Sequence, residues 1–164
     1  MQKSEDQGPG RKIETAIVRR LARRKMTLAT AESCTGGLIA NRITNVPGAS
    51  KIFLGGIVAY SNEVKREFLG VRSGTLKKFG AVSEAVAREM AAGARKKFGA
   101  DLAIAVTGIA GPGGGTKKKP VGTVFIAVAG DFGVVVVRQL NPFSRERFKE
   151  ITAGQALELL LARL

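Results

Sequence analysis

Residues 28–38 read LATAESCTGGL, placing a hydroxyl, Ser33, beside a thiol, Cys34, where small apolar residues give way to two glycines. A serine at a strand-to-helix turn can hold its hydroxyl at a helix N-terminus. The N–H groups of Cys34, Thr35, Gly36 and Gly37 could then stabilise an oxyanion. Glycines there would let a substrate approach the backbone. Ser33 reads equally as an ordinary N-cap, and the G-x-S-x-G nucleophile pattern is absent. Cys34 reads first as a small buried residue, because a nucleophilic thiolate needs a cation held beside it.

The chain contains no histidine, which removes Ser-His-Asp and Cys-His mechanisms. With a single cysteine and no histidine, a zinc site is also disfavoured. A serine nucleophile would therefore need another base, and Ser-Lys pairs are one solution. The segment YSNEVK supplies Tyr60 and Lys65. A free lysine has a pKa of about 10.4, and burial or nearby cations could lower it toward the working range. Taken singly, Lys65 is an exposed helix lysine and Tyr60 a strand-end aromatic. The stretch TGIAGPGGGT, opening with Thr107 and Gly108, could turn backbone N–H groups toward an anion. It lacks the G-K-[ST] ending of a phosphate-binding P-loop and reads equally as a flexible surface loop. Arg145 could pair a phosphate bidentately or simply be solvated. Glu32 and Asp101 could orient a site or form structural ion pairs.

The elements that must position these residues follow from periodicity. Ile13, Ile17 and Leu21 predict a helix over 11–25. MTLATAES predicts a short buried strand, and Gly36 to Thr44 a helix stopped by NVPG. Residues 52–61 read as a strand whose glycines imply a bend or close packing, and Asn62 to Leu69 as a short helix. Ser83 can cap a helix running to about Phe98, with Val86, Met90 and Ala94 on one face. ADLAIAVTG reads as a central strand. Strands over 121–129 and 132–140, separated by Gly-Asp, form a hairpin. Ser144 starts the last helix, which buries Phe148, Ile151, Leu159 and Leu160. Helices alternating with strands predict an α/β fold: a three-layer α/β/α sandwich with a mixed sheet including a late antiparallel hairpin. Ligands of such sheets sit beyond the strand C-termini, where Ser33, Tyr60 and Thr107 all fall.

The 164 residues, 45% hydrophobic, suit one domain over 11–164 behind a flexible polar tail, 1–10. No apolar run approaches a membrane span and no secretory signal is evident. The lone cysteine fits a reducing, cytoplasmic setting. A formal charge of +14 with 5% aromatics favours a charged surface over a base-stacking nucleic-acid platform.

Four stretches, AESCTGGL, GGIVAYSNEVKREFLGV, GAVSEAVAREMAAGAR and VTGIAGPGGGTKKKPVGTV, resemble the C-terminal domain family of the competence- and damage-inducible protein CinA. The resemblance runs from about Arg11 to the C-terminus and implies a nicotinamide mononucleotide deamidase of pyridine nucleotide salvage. It implies Ser33 as nucleophile, Lys65 as base and Tyr60 in the same site, with no metal and no organic cofactor. It places Thr107 and Gly108 in a substrate-binding loop and Arg145 at a basic position after the last strand. It also implies a small nucleotide substrate, no membrane association and a homo-oligomer. Many relatives carry this domain behind a larger one associated with nucleotide pyrophosphatase activity, for which this chain is too short. Where relatives are often acidic after GGT, this chain has Lys117, Lys118 and Lys119. Two other functions remain open on the sequence: a basic module binding nucleic acid or a competence partner, and an inactive relative that binds a nucleotide.

Overall fold

The structure, a computed structural model, describes residues 11–164, and the segment expected to be a tail lies outside the described residues. The order is α1 (Arg11–Arg24), β1 (Leu28–Glu32), α2 (Leu38–Thr44), a 3-10 turn (Ala49–Lys51), β2 (Phe53–Val58), α3 (Asn62–Leu69), α4 (Ser73–Phe79), α5 (Glu84–Phe98), β3 (Leu102–Gly108), β4 (Thr123–Gly130), β5 (Gly133–Leu140) and α6 (Arg145–Leu161). The five strands form one sheet in the order β2-β1-β3-β4-β5. β1 lies parallel to both β2 and β3, whereas β4 runs antiparallel to β3 and β5. This is the expected mixed sheet with its late hairpin. The β4–β5 register ends at Gly130 opposite Gly133, so Asp131 and Phe132 form the turn. No described helix is long and apolar enough to cross a membrane.

Strand alternation splits the core between two helical layers. Leu102, Ile104 and Val106 of β3 and Val124, Ile126 and Val128 of β4 face α1, α2 and α6, packing with Ile17, Leu21, Ile39 and Phe148. The opposite face is built from alanines (Ala31, Ala103, Ala105, Ala127 and Ala129), which meet Ala87, Ala91 and Ala94 of α5. Small side chains on both sides bring α5 close to the sheet. The approach of α3 to α5 is closer still, because a Cβ added at Gly93 would overlap the Leu69 carbonyl oxygen.

Three elements differ from the sequence reading. The hairpin turns one residue beyond the expected Gly130–Asp131, because β4 stays paired through Gly130. α2 begins at Leu38 rather than at the glycines, because Gly36 and Gly37 have φ of 60° and 99°, a left-handed backbone that no right-handed helix contains. α4 was not expected. Its start is held from α5, where Glu89 accepts the Arg72 N–H at 2.9 Å and the Thr75 hydroxyl at 2.8 Å.

Candidate active site

The parallel strands β1, β2 and β3 end at one edge of the sheet, and the chain leaves each of them carrying a functional group. Ser33 follows β1, and its N–H donates to the Val106 carbonyl at 3.0 Å. Tyr60 follows β2, anchored by the Ala59 N–H donating to the Glu32 carbonyl at 2.8 Å. Thr107 lies in β3, and its hydroxyl donates to the Ala81 carbonyl at 2.8 Å, pinning the segment before α5.

Lys65 enters from α3. Ser61 caps that helix by accepting the Val64 N–H at 3.2 Å, which sets the helical phase so that Lys65 points inward. Its side chain is only 2% exposed. Nζ donates to Ser33 Oγ at 3.1 Å, to the Ala59 carbonyl at 2.7 Å and to the Tyr60 carbonyl at 3.4 Å. Burial holds its pKa below the ordinary lysine value, opposed by the Glu63 carboxylate. Burial likewise pushes the Cys34 thiol up to about 12, helped by the Glu32 carboxylate. A thiol in that condition is a poor nucleophile at neutral pH, whereas a lysine so depressed is closer to serving as a base.

The turn after Ser33 corrects one expectation. Ser33 is not the helix cap, since the cap position of α2 is Gly37. The Gly36 N–H donates to the Ser33 carbonyl at 3.1 Å, and the Gly37 N–H to Glu32 Oε2 at 3.1 Å. These two donors are engaged within the fold and Thr35 is fully buried, so the turn's candidate donor for an anion is the Cys34 N–H. The cause is Glu32, 1% exposed, whose carboxylate reaches into the α2 N-terminus and occupies the place a ligand anion would take.

Ser33, Cys34, Tyr60, Lys65, Thr107, Gly108 and Arg145 all line one cleft of about 310 Å³. Thr35, Gly36 and Gly37 do not line it. Arg145 spans the mouth, donating from one terminal nitrogen to the Gly111 carbonyl at 2.8 Å and from the other to the Tyr60 hydroxyl at 2.6 Å. Both partners are neutral. Three lining residues escaped the sequence reading: Asn62, Ala81 and Val82. Asn62 was within reach, since it opens the helix that carries Lys65. Ala81 and Val82 carried no chemical signal. Among the described residues no group of three His, Cys, Asp or Glu side chains is placed to hold a metal.

The profile described as the CinA C-terminal domain matches residues 10–164. A CinA-like protein of Akkermansia muciniphila is 52% identical over 153 residues, covering 93% of this chain and 37% of its own length. A CinA-like protein of Pseudothermotoga lettingae is 48% identical over 149 residues, covering 91% and 37%. The chain thus spans under two-fifths of the length of these relatives. Among solved structures, the competence/damage inducible protein CihA from Agrobacterium tumefaciens superposes with a TM-score of 0.91 at 41% identity, covering 98% of each chain. The competence damage-inducible protein A from Klebsiella pneumoniae gives 0.91 at 35% identity, covering 94% of this chain and 96% of that one.

Proposed function

This chain belongs to the CinA C-terminal domain family, and we propose that it hydrolyses the carboxamide of nicotinamide mononucleotide to nicotinate mononucleotide and ammonia. The observation that carries the reading is the buried Lys65 Nζ at 3.1 Å from Ser33 Oγ. A neutral amine has two N–H donors and one lone pair. The carbonyls of Ala59 and Tyr60 match the donors, which leaves the lone pair for the Ser33 hydroxyl proton.

The chemistry follows as acyl transfer. Lys65 takes the Ser33 proton as Oγ bonds to the carboxamide carbon. The substrate's pyridinium charge makes that carbon more electrophilic. The oxyanion rests against the Cys34 N–H group, the turn donor that lines the cleft. Lys65 returns the proton to the amide nitrogen, the C–N bond breaks and ammonia leaves. Water then adds to the acyl carbon with Lys65 accepting its proton, the ester C–O bond breaks and Ser33 recovers its hydrogen. The balance is amide plus water to carboxylate plus ammonium. Arg145, held only by neutral partners, and the Gly113 and Gly114 backbone lining the cleft suit the 5′-phosphate.

Ammonia release from nicotinamide mononucleotide by wild type and Ser33→Ala tests this. Turnover by wild type should fall by roughly a thousandfold or more in the folded variant. Turnover that survives the substitution removes the serine mechanism, and none by either protein removes the substrate.

A further inference from the structure

Glu32 ends β1 one residue before the proposed nucleophile and is almost fully buried, yet no cation pairs with it among the described salt bridges. Its carboxylate instead accepts four hydrogen bonds. Oε2 takes the Thr35 hydroxyl at 2.6 Å, the Gly37 N–H at 3.1 Å and the Ile39 N–H at 3.1 Å, and Oε1 takes the Ala40 N–H at 2.8 Å. Three of these donors are backbone groups at or next to the start of α2, where no side chain of the cap residue serves. The carboxylate thus caps a helix from the strand that precedes it, with the whole Ser33–Gly37 turn between.

From this geometry we infer that Glu32 is a positioning residue for Ser33, clamping the turn so that the hydroxyl meets Lys65. The inference rests on the reading of Ser33 as nucleophile. The turn is tied at both ends. Ser33 is fixed to β3 through its N–H on Val106, and Thr35 and Gly37 are fixed to Glu32. Between those anchors the chain has little freedom to swing Oγ away from Nζ. A carboxylate satisfied by neutral donors also leaves Lys65 free of a neighbouring ion pair that would hold it protonated.

The test compares Glu32→Gln with Arg42→Met in the full chain. Glu32→Gln keeps the shape but turns one acceptor into a donor that opposes an N–H. Arg42→Met weakens the other end of the same helix by breaking the 2.6 Å pair with Glu14, away from the turn. Two readouts are taken on each: kcat and KM for nicotinamide mononucleotide, and the rate at which a fluorophosphonate probe labels Ser33, followed by intact mass. The expected result for Glu32→Gln is a 10- to 100-fold fall in kcat and a parallel fall in labelling, with KM within about threefold. Arg42→Met should lower the melting temperature and leave both rates near wild type. Equal losses in the two variants would reduce Glu32 to helix stability and overturn the inference, as would unchanged rates in Glu32→Gln. Wild-type labelling at Ser33 without turnover would overturn the substrate alone, and the labelling comparison would still decide the role of Glu32. Wild type that neither labels nor turns over would overturn both.

Discussion

In the proposed mechanism Lys65 ties catalysis and stability to the same proton. Unfolded, it ionises near 10.4; folded, burial holds it lower. Between the folded value and about 10.4 the unfolded chain binds the extra proton, so wild-type stability rises with pH across that window. The penalty of the buried ammonium is full below the folded pKa and fades above it. Urea midpoints of wild type and Lys65→Met at several pH values from about 6 to 10 should therefore shift in favour of wild type as pH rises. The same titration should appear in activity. kcat/KM should climb with pH as the amine is freed and level off below 10.4, and Lys65→Met should lose activity by a thousandfold or more. Cys34, with its thiol near 12, stays protonated throughout, so iodoacetamide at pH 7.5 should leave activity intact.

Gly93 shows how closely two elements meet. The Leu69 carbonyl at the end of α3 rests on the α5 backbone where a side chain would stand, and α3 carries Lys65. Alanine is the better helix former by about 1 kcal/mol, but overpacking against backbone costs about 1–3 kcal/mol. Gly93→Ala should be net destabilising in urea melts and should also lower kcat, because α3 must shift and take Lys65 with it. Gly74, whose surroundings are open, provides the comparison. Gly74→Ala should match or exceed wild-type stability and keep its activity.

Charge acts on the molecule as a whole. The formal net charge is +14. On α1 the only acid, Glu14, is buried against Arg42, while Arg19, Arg20, Arg23 and Arg24 stand exposed. Like charges spread over a domain of this size oppose the compact state, and salt screens them within about 10 Å at 0.1 M. Raising sodium chloride from about 20 to 300 mM should raise the melting temperature. A fall would mean that the few surface ion pairs outweigh the excess positive charge.

Local chemistry made much of this legible without coordinates. Asn62–Leu69 is a helix as its pattern indicates, and Ser83 caps α5 by accepting the Val86 N–H at 3.3 Å. The late hairpin is present as its pattern indicates, with its turn at Asp131 and Phe132, one residue beyond the expected Gly130–Asp131. Apolar spacing and capping act over a few residues, so they are written in the chain itself. The three strand-end residues Ser33, Tyr60 and Thr107 were likewise placed on one edge, because parallel strands must end together. What lay beyond reach depended on partners distant in sequence. α4 is held by Glu89, 14 residues past Thr75. The Gly36 and Gly37 N–H groups looked available until the fold turned them to Ser33 and Glu32. Above all, the 3.1 Å from Lys65 to Ser33 spans 32 residues. No periodicity records a contact made when a helix packs across two strand ends, and the burial that lowers the lysine pKa exists only once that packing has formed.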